Sequence, residues 1–173
     1  MKMVAAAKLR RAQGRLWAAR PYAQKIAEVA GRLALAPNAR MLPLAAPREI
    51  KKRSYVLVVG DRGLAGSYNT NIIHLAEECL AKEREPAALV IVGRKGLQFF
   101  RRRSAEILKF YVDTGDEPDL FLAREIARNL MEIFLTGQVD EVSLIYSRFY
   151  SALRHIPRVE TLLPLAAPSI ETA

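Results

Sequence analysis

Cysteine, histidine and tryptophan are scarce in this chain: one Cys, two His and one Trp among 173 residues. A lone Cys79 excludes an internal disulfide framework and fits a reducing compartment. His74 and His155 lie far apart, without ligand-like neighbours, so no metal site is expected. No apolar run approaches the roughly 18 residues of a membrane span. No serine or cysteine is placed beside a histidine and an acid, so nucleophilic catalysis has no candidate set. The most local absence is of acid: residues 1–27 contain neither Asp nor Glu.

What is present is positive charge, concentrated at one end. The chain carries a formal +9. Residues 1–36 hold Lys2, Lys8, Arg10, Arg11, Arg15, Arg20, Lys25 and Arg32 against Glu28 alone, and so account for seven of those nine charges. An acidic partner would meet this segment. Ala5, Leu9, Ala12, Leu16, Ala19, Ala23, Ile26, Ala30 and Leu33 step by four and three throughout it. A heptad seam kept for about four heptads predicts a coiled-coil helix. A surface helix and a cleavable basic leader also fit the composition, although a seam that continues beyond residue 27 argues against the leader. Alanine at most seam positions buries little area per residue, so length must supply stability. Pro21 should bend or loosen one turn. No other segment of matching length is available to pair with this helix.

After Lys51-Lys52-Arg53 the period changes. Residues 54–60 (SYVLVVG), 87–93 (AALVIVG), 106–112 (EILKFYV), 141–149 (EVSLIYSRF) and 158–165 predict five strands. The first two are nearly continuous apolar runs, the pattern of parallel strands covered on both faces. Helices are predicted over 70–84, with Ile72, Ile73, Ala76, Cys79 and Leu80 on one face; over 94–103; and over 118–136. The last has Asp116 and Pro118 as start signals, Gly137 as its stop, and Leu120, Ala123, Ala127, Leu130 and Phe134 inward. This alternation implies an α/β fold: a mainly parallel, Rossmann-like sheet of about five strands with helices on both faces. The link between the last two strands is too short for a crossover, so they should form an antiparallel hairpin at the edge, with Pro157 at a strand start. The chain thus divides into a helix (1–37), a linker (38–53), a globular domain (54–165) and a weakly patterned tail (166–173).

The stretch VLVVGDRGLAGSYNTNII at residues 56–73 resembles a nucleotide loop. Gly60, Gly63 and Gly66 give G-x-x-G-x-x-G, however, which lacks the close glycine pair of the dinucleotide fingerprint. There is no P-loop lysine, and Asp61 would face a phosphate with like charge. Arg94 and Lys95 could imitate a 2′-phosphate site, which keeps an NADP-type oxidoreductase fragment as an alternative. A tight strand-to-helix turn that needs glycine for backbone reasons is the competing reading. Asp113, Asp116, Glu117 and Asp119 cluster near a helix start, where carboxylates favour the macrodipole. Arg101-Arg102-Arg103 after Phe99-Phe100 reads as a solvated helix end with the phenylalanines inward.

Four separated motifs, in order, carry a family resemblance. MKMVAAAKLRRAQ at residues 1–13 is similar to the first shaft helix of the gamma subunit of F-type ATP synthase. DRGLAGSYNTN at 61–71 resembles that family's glycine turn, with Ala65 where many members have cysteine. GRKG at 93–96 and ETLLPL at 160–165 also match. The resemblance implies a non-catalytic central-stalk subunit without cofactor or metal. It would be peripheral to the cytoplasmic face of a bacterial membrane and would couple proton-driven rotation to the catalytic beta subunits. The implied partners are the alpha and beta subunits, the epsilon subunit and the membrane rotor ring, with no nucleic acid or small-molecule substrate. The implied partner-contact residues are Met1, Lys2, Lys8, Arg10 and Arg11 on the helix, and Asp61, Arg62, Gly63, Leu64, Ala65 and Gly66 on the turn. In the family a second long helix near the C-terminus winds against the first. Relative to that pattern this chain is expected to be short at both ends.

Overall fold

The computed structural model describes residues 2–115, 117, 119–152 and 154–165. Helix α1 spans Lys2–Ala34 and runs through Pro21. At 1.5 Å per residue it is about 50 Å long. A 3₁₀ turn at Ala39–Met41 follows. Then come β1 (Arg53–Val58), α2 (Tyr68–Lys82), β2 (Ala87–Val92), α3 (Arg94–Phe100), β3 (Glu106–Tyr111), α4 (Leu120–Leu135), β4 (Glu141–Ser151) and β5 (Arg154–Leu163). The predicted tail, residues 166–173, lies outside the described residues, as do the helix-start signals Asp116 and Pro118.

The five strands form one sheet in the order β3-β2-β1-β4-β5. β1 pairs in parallel with β2 and β4, and β2 with β3. β4 and β5 form the expected antiparallel hairpin, so the sheet is mixed. Alternation along the strands divides the core in two. Tyr55, Leu57, Leu89 and Ile91 face α2 and α3, meeting Ile72, Ala76, Leu97 and Phe100. Val56, Val90, Val92 and Val142 face the other way and meet Leu130, Ile133 and Phe134 of α4. Central β1 and β2 are buried on both faces, which explains their unbroken apolar runs. Edge strand β3 is largely half-exposed.

Three expectations need correction. Leu120, Ala123 and Ala127 of α4 are exposed. The inward stripe is Leu122, Ile126, Leu130, Ile133 and Phe134, because larger side chains at almost the same spacing bury more apolar area than alanines. The helix starts at Leu120, capped by Asp119, whose carboxylate accepts from the Phe121 N–H at 2.8 Å. Pro157 lies inside β5, opposite Ser147, rather than at its start. β5 is an edge strand, where a missing N–H is tolerated.

At the N-terminal edge of the sheet, Arg53 is paired with both Glu83 and Glu141. The Tyr55 hydroxyl donates to Glu83. Burial, with the adjacent Glu83 carboxylate, pushes the Tyr55 phenol well above its ordinary range. This cluster closes the end of the sheet away from the glycine turn. The end of the domain meets the linker at one corner, where Leu165 N–H donates to Leu44 C=O at 2.7 Å.

Candidate functional site

The glycine turn leaves the C-terminal end of β1 and is held from inside. Asn69, on the first turn of α2, accepts from Gly60 N–H at 2.8 Å and donates to Arg62 C=O at 3.1 Å. Asp61 reaches across to two neighbouring loops. Its carboxylate accepts from the N–H of Arg94 at the start of α3 (2.8 Å) and from the N–H of Asp113 (3.2 Å). It also accepts from the N–H and hydroxyl of Thr114 (2.8 and 3.0 Å). Partial burial pushes the Asp61 carboxyl up, but these four donors outweigh burial and hold it below the usual carboxylate range. Asp61 is therefore a knot joining the turns after β1, β2 and β3.

Two glycines here are required by geometry. Gly93 has φ +107°, and a Cβ on it would sit 2.1 Å from Val59 C=O. Gly96 packs α3 onto the sheet so closely that a Cβ would meet Leu57, Val59 and Ile91 at 3.0–3.1 Å. The GRKG motif thus serves helix–strand contact. Leu64 is different. It stands at φ +60°, rare for a side chain of this size, and is fully exposed.

The cleft above the turn, about 490 Å³, is lined by Gly60, Asp61, Arg62, Asn69, Arg94 and Thr114 among others. Its anion-seeking groups are already engaged. The first N–H of α3 is given to Asp61, and the Arg94 guanidinium is paired with Asp113. The dinucleotide reading loses Arg94, and Asp61, an acidic side chain of the loop itself, occupies backbone donors that a phosphate would use.

The second group of expected contact residues lies on α1. Lys8, Arg10 and Arg11 are exposed there; Met1 lies outside the described residues, and only the helical backbone of Lys2 is described. Leu9, Leu16, Ile26 and Leu33 of the heptad seam are 36–50% exposed. The helix is half-buried at Gln13, Arg20, Ala30 and Ala34 and buried at Gly31; its C-terminal end lies against the 3₁₀ turn Ala39–Met41, and Arg20 bonds to β4. A groove of about 1030 Å³ runs beside it, with Lys8, Arg11 and Arg15 on one wall and Glu117, Asp119 and Leu122 on the other. Thr114 and Gly115 border both this groove and the glycine-turn cleft. The two sets of expected contacts therefore sit on either side of one loop, at the C-terminal edge of the sheet.

Sequence reasoning missed Asn69, Thr114, Arg15 and Arg20. Asn69 had a legible signal, as it sits in the NTN run three residues after Gly66. The others bond to groups distant in sequence: Arg15 to Glu117, Arg20 to Phe149 C=O and Thr114 to Asp61.

A wound α/β base with its nucleotide-like turn stitched shut, carrying a long basic helix with an uncovered apolar seam, defines a scaffold class of protein. The model of a family described as ATP synthase matches residues 1–172. The chain is 61% identical over 168 residues to the ATP synthase gamma chain of Moorella thermoacetica, covering 97% of this chain and 60% of that one. It is 44% identical over 173 residues to the gamma chain of Heliobacterium modesticaldum, covering all of this chain and 59% of that one. Its fold is similar to a central-stalk chain of the Tetrahymena thermophila mitochondrial ATP synthase, with TM-score 0.74 and 26% identity over 95% of this chain and 70% of that one. The chain belongs to the ATP synthase gamma family. It spans about 60% of the length of the curated relatives it matches.

Proposed function

We propose that this chain serves a rotor: it is the base and first shaft helix of a central stalk, transmitting rotation to the catalytic subunits of an ATP synthase without performing chemistry itself. The observation that carries this reading is α1. It is a helix of about 50 Å whose apolar seam lies open and whose flanks are lined by cations, standing on a domain whose likeness to a nucleotide fold is filled by Asp61. A rod of this kind is useful when a second helix covers its seam and an acidic surface meets its charge.

Leu165 and Leu44 are hydrogen-bonded neighbours. Leu165 therefore lies beside the linker that follows α1, and a second shaft helix of the family's kind would cover the seam from there. The alpha and beta subunits would surround the shaft. Lys2, Lys8, Arg10 and Arg11 would face an acidic lever of beta, as would Arg62 and the exposed Leu64 of the turn. Asp61, Gly63, Ala65 and Gly66 complete the contact set, Asp61 also holding the turn in shape. The domain would sit against the epsilon subunit and the rotor ring, at the cytoplasmic face of a bacterial membrane. Among the described residues no helix is long and apolar enough to cross a membrane, in keeping with a peripheral position.

The test is co-purification of the gamma chain with tagged alpha and beta subunits, beside a variant carrying Lys8→Gln, Arg10→Gln and Arg11→Gln. Capture of the parent, with capture of the variant lost at lower salt, is expected. Calorimetry with NADPH and with ADP on the isolated chain should give no binding heat; saturable heat from either would defeat the reading.

A further inference from the structure

We propose that Arg20, assisted by Arg15, is a positioning residue that fixes the direction of the shaft helix on its base, and that it does so because Pro21 makes that point of the rod weak. The consequence for coupled rotation rests on the rotor reading above; the geometry does not. Proline has no N–H, so the Trp17 carbonyl has no partner one turn on, and the proline ring crowds that carbonyl. Such a turn is where a long helix bends. Below it, towards residue 34, α1 is covered at Ala30, Gly31 and Ala34, where it meets the 3₁₀ turn Ala39–Met41. Above it the described residues leave most of the helix exposed.

Arg20 is the residue immediately before the proline. It is half-buried, and its Nη2 donates to Phe149 C=O in β4 at 2.5 Å. Its guanidinium also lies over the Trp17 ring, 4.2 Å from the centroid. The planar fork thus ties the turn above the proline to the sheet and to its own preceding turn. Arg15 adds a second tie farther up, from its Nη2 to Glu117 at 2.7 Å. Both partners of that ion pair are exposed, so it contributes less and is screened by salt. One end is seated by packing and the segment above the proline is braced by a charged hydrogen bond. Together they let a helix with a breaker in it push sideways without folding at the breaker.

Ala5 lies fifteen residues above Arg20, roughly 22 Å along the axis. A swing of about 20° at Pro21 would carry it roughly 8 Å. The measurement is the spin-label distance distribution between Ala5→Cys and Gln138→Cys in the full chain with Cys79→Ala, with circular dichroism to follow the fold. Arg20→Ala should broaden or shift the distribution by several ångströms while the domain spectrum holds. Adding Pro21→Ala should narrow it again, and Arg20→Lys should lie between. Arg15→Glu should give a smaller, salt-sensitive change that Glu117→Arg reverses. A distribution for Arg20→Ala that overlays the parent would overturn the proposal. If Arg20→Ala unfolds the domain, Arg20→Lys becomes the deciding variant, and an unchanged distribution there overturns the proposal. Failure in this assay with alpha and beta capture intact would sink the brace and leave the rotor reading; the reverse outcome would sink the rotor reading alone.

Discussion

The long helix and the domain beneath it are stabilised in opposite ways. Between residues 53 and 165 the chain buries two apolar clusters, one on each face of the sheet, and its loops are tied by Asp61, Asn69 and Arg53. In α1 the large apolar residues Leu9, Leu16, Trp17 and Ile26 are 36–50% exposed, and Gly31 is its one described buried residue. The domain can therefore form from its own contacts, whereas the helix rests on intrinsic propensity, two arginine ties and a seat at one end. An isolated helix of this kind is marginal in water even when rich in alanine. A stable base under an unsatisfied rod suits a part whose rod is completed by others.

Substitutions can break or sharpen this contrast. The largest effect belongs to Gly93→Ala, where the new Cβ meets Val59 C=O at 2.1 Å in a left-handed backbone. A loss on the order of 4 kcal/mol is expected, read as failure to express folded protein or collapse of the urea midpoint. Phe134→Ala, at a fully buried site, should cost about 3–5 kcal/mol. The same truncation at Leu16 should lower stability by less than about 0.5 kcal/mol, read from the urea transition. Equal losses at the two positions would mean that the seam of α1 is already covered.

Asp61→Asn should cost about 1–2 kcal/mol, by weakening four hydrogen bonds to a charged acceptor. The pH dependence has a definite sign. The folded-state carboxyl is held below its ordinary value of 3.8, so its contribution is complete above that value. It is lost as pH falls through the lower, folded value. Urea midpoints followed from neutral pH into acid should fall in the parent, and that acid limb should be shallower in the asparagine variant. One substitution should be a gain. Gly14 lies inside α1, and a Cβ there would meet nothing within 4 Å beyond its own helix backbone and chain neighbours. Gly14→Ala should thus stabilise the helix by about 0.5–1 kcal/mol, seen as more far-UV helical signal with the domain midpoint unchanged.

The domain was legible in the sequence because its signals are redundant. SYVLVVG and AALVIVG could hardly be anything but doubly covered strands, and the short link before β5 left a hairpin as the only connection. In α4 alanines and larger residues shared one spacing, so periodicity alone did not select the inward face. Pro157 read as a strand start because sequence does not reveal which edge strand can spare an N–H. The site was legible as a place and not as a mechanism. Gly60, Gly63 and Gly66 marked the turn, but the role of Asp61 depends on donors 33 to 53 residues away. Arg15 and Arg20 read as two cations among many, because the groups they grip lie over 100 residues distant.

The hydrogen bond from Leu165 N–H to Leu44 C=O pins the end of the last strand to the segment that precedes the first one. Two stretches more than a hundred residues apart in sequence thus share one corner, and neither can be pulled from the sheet without breaking that bond.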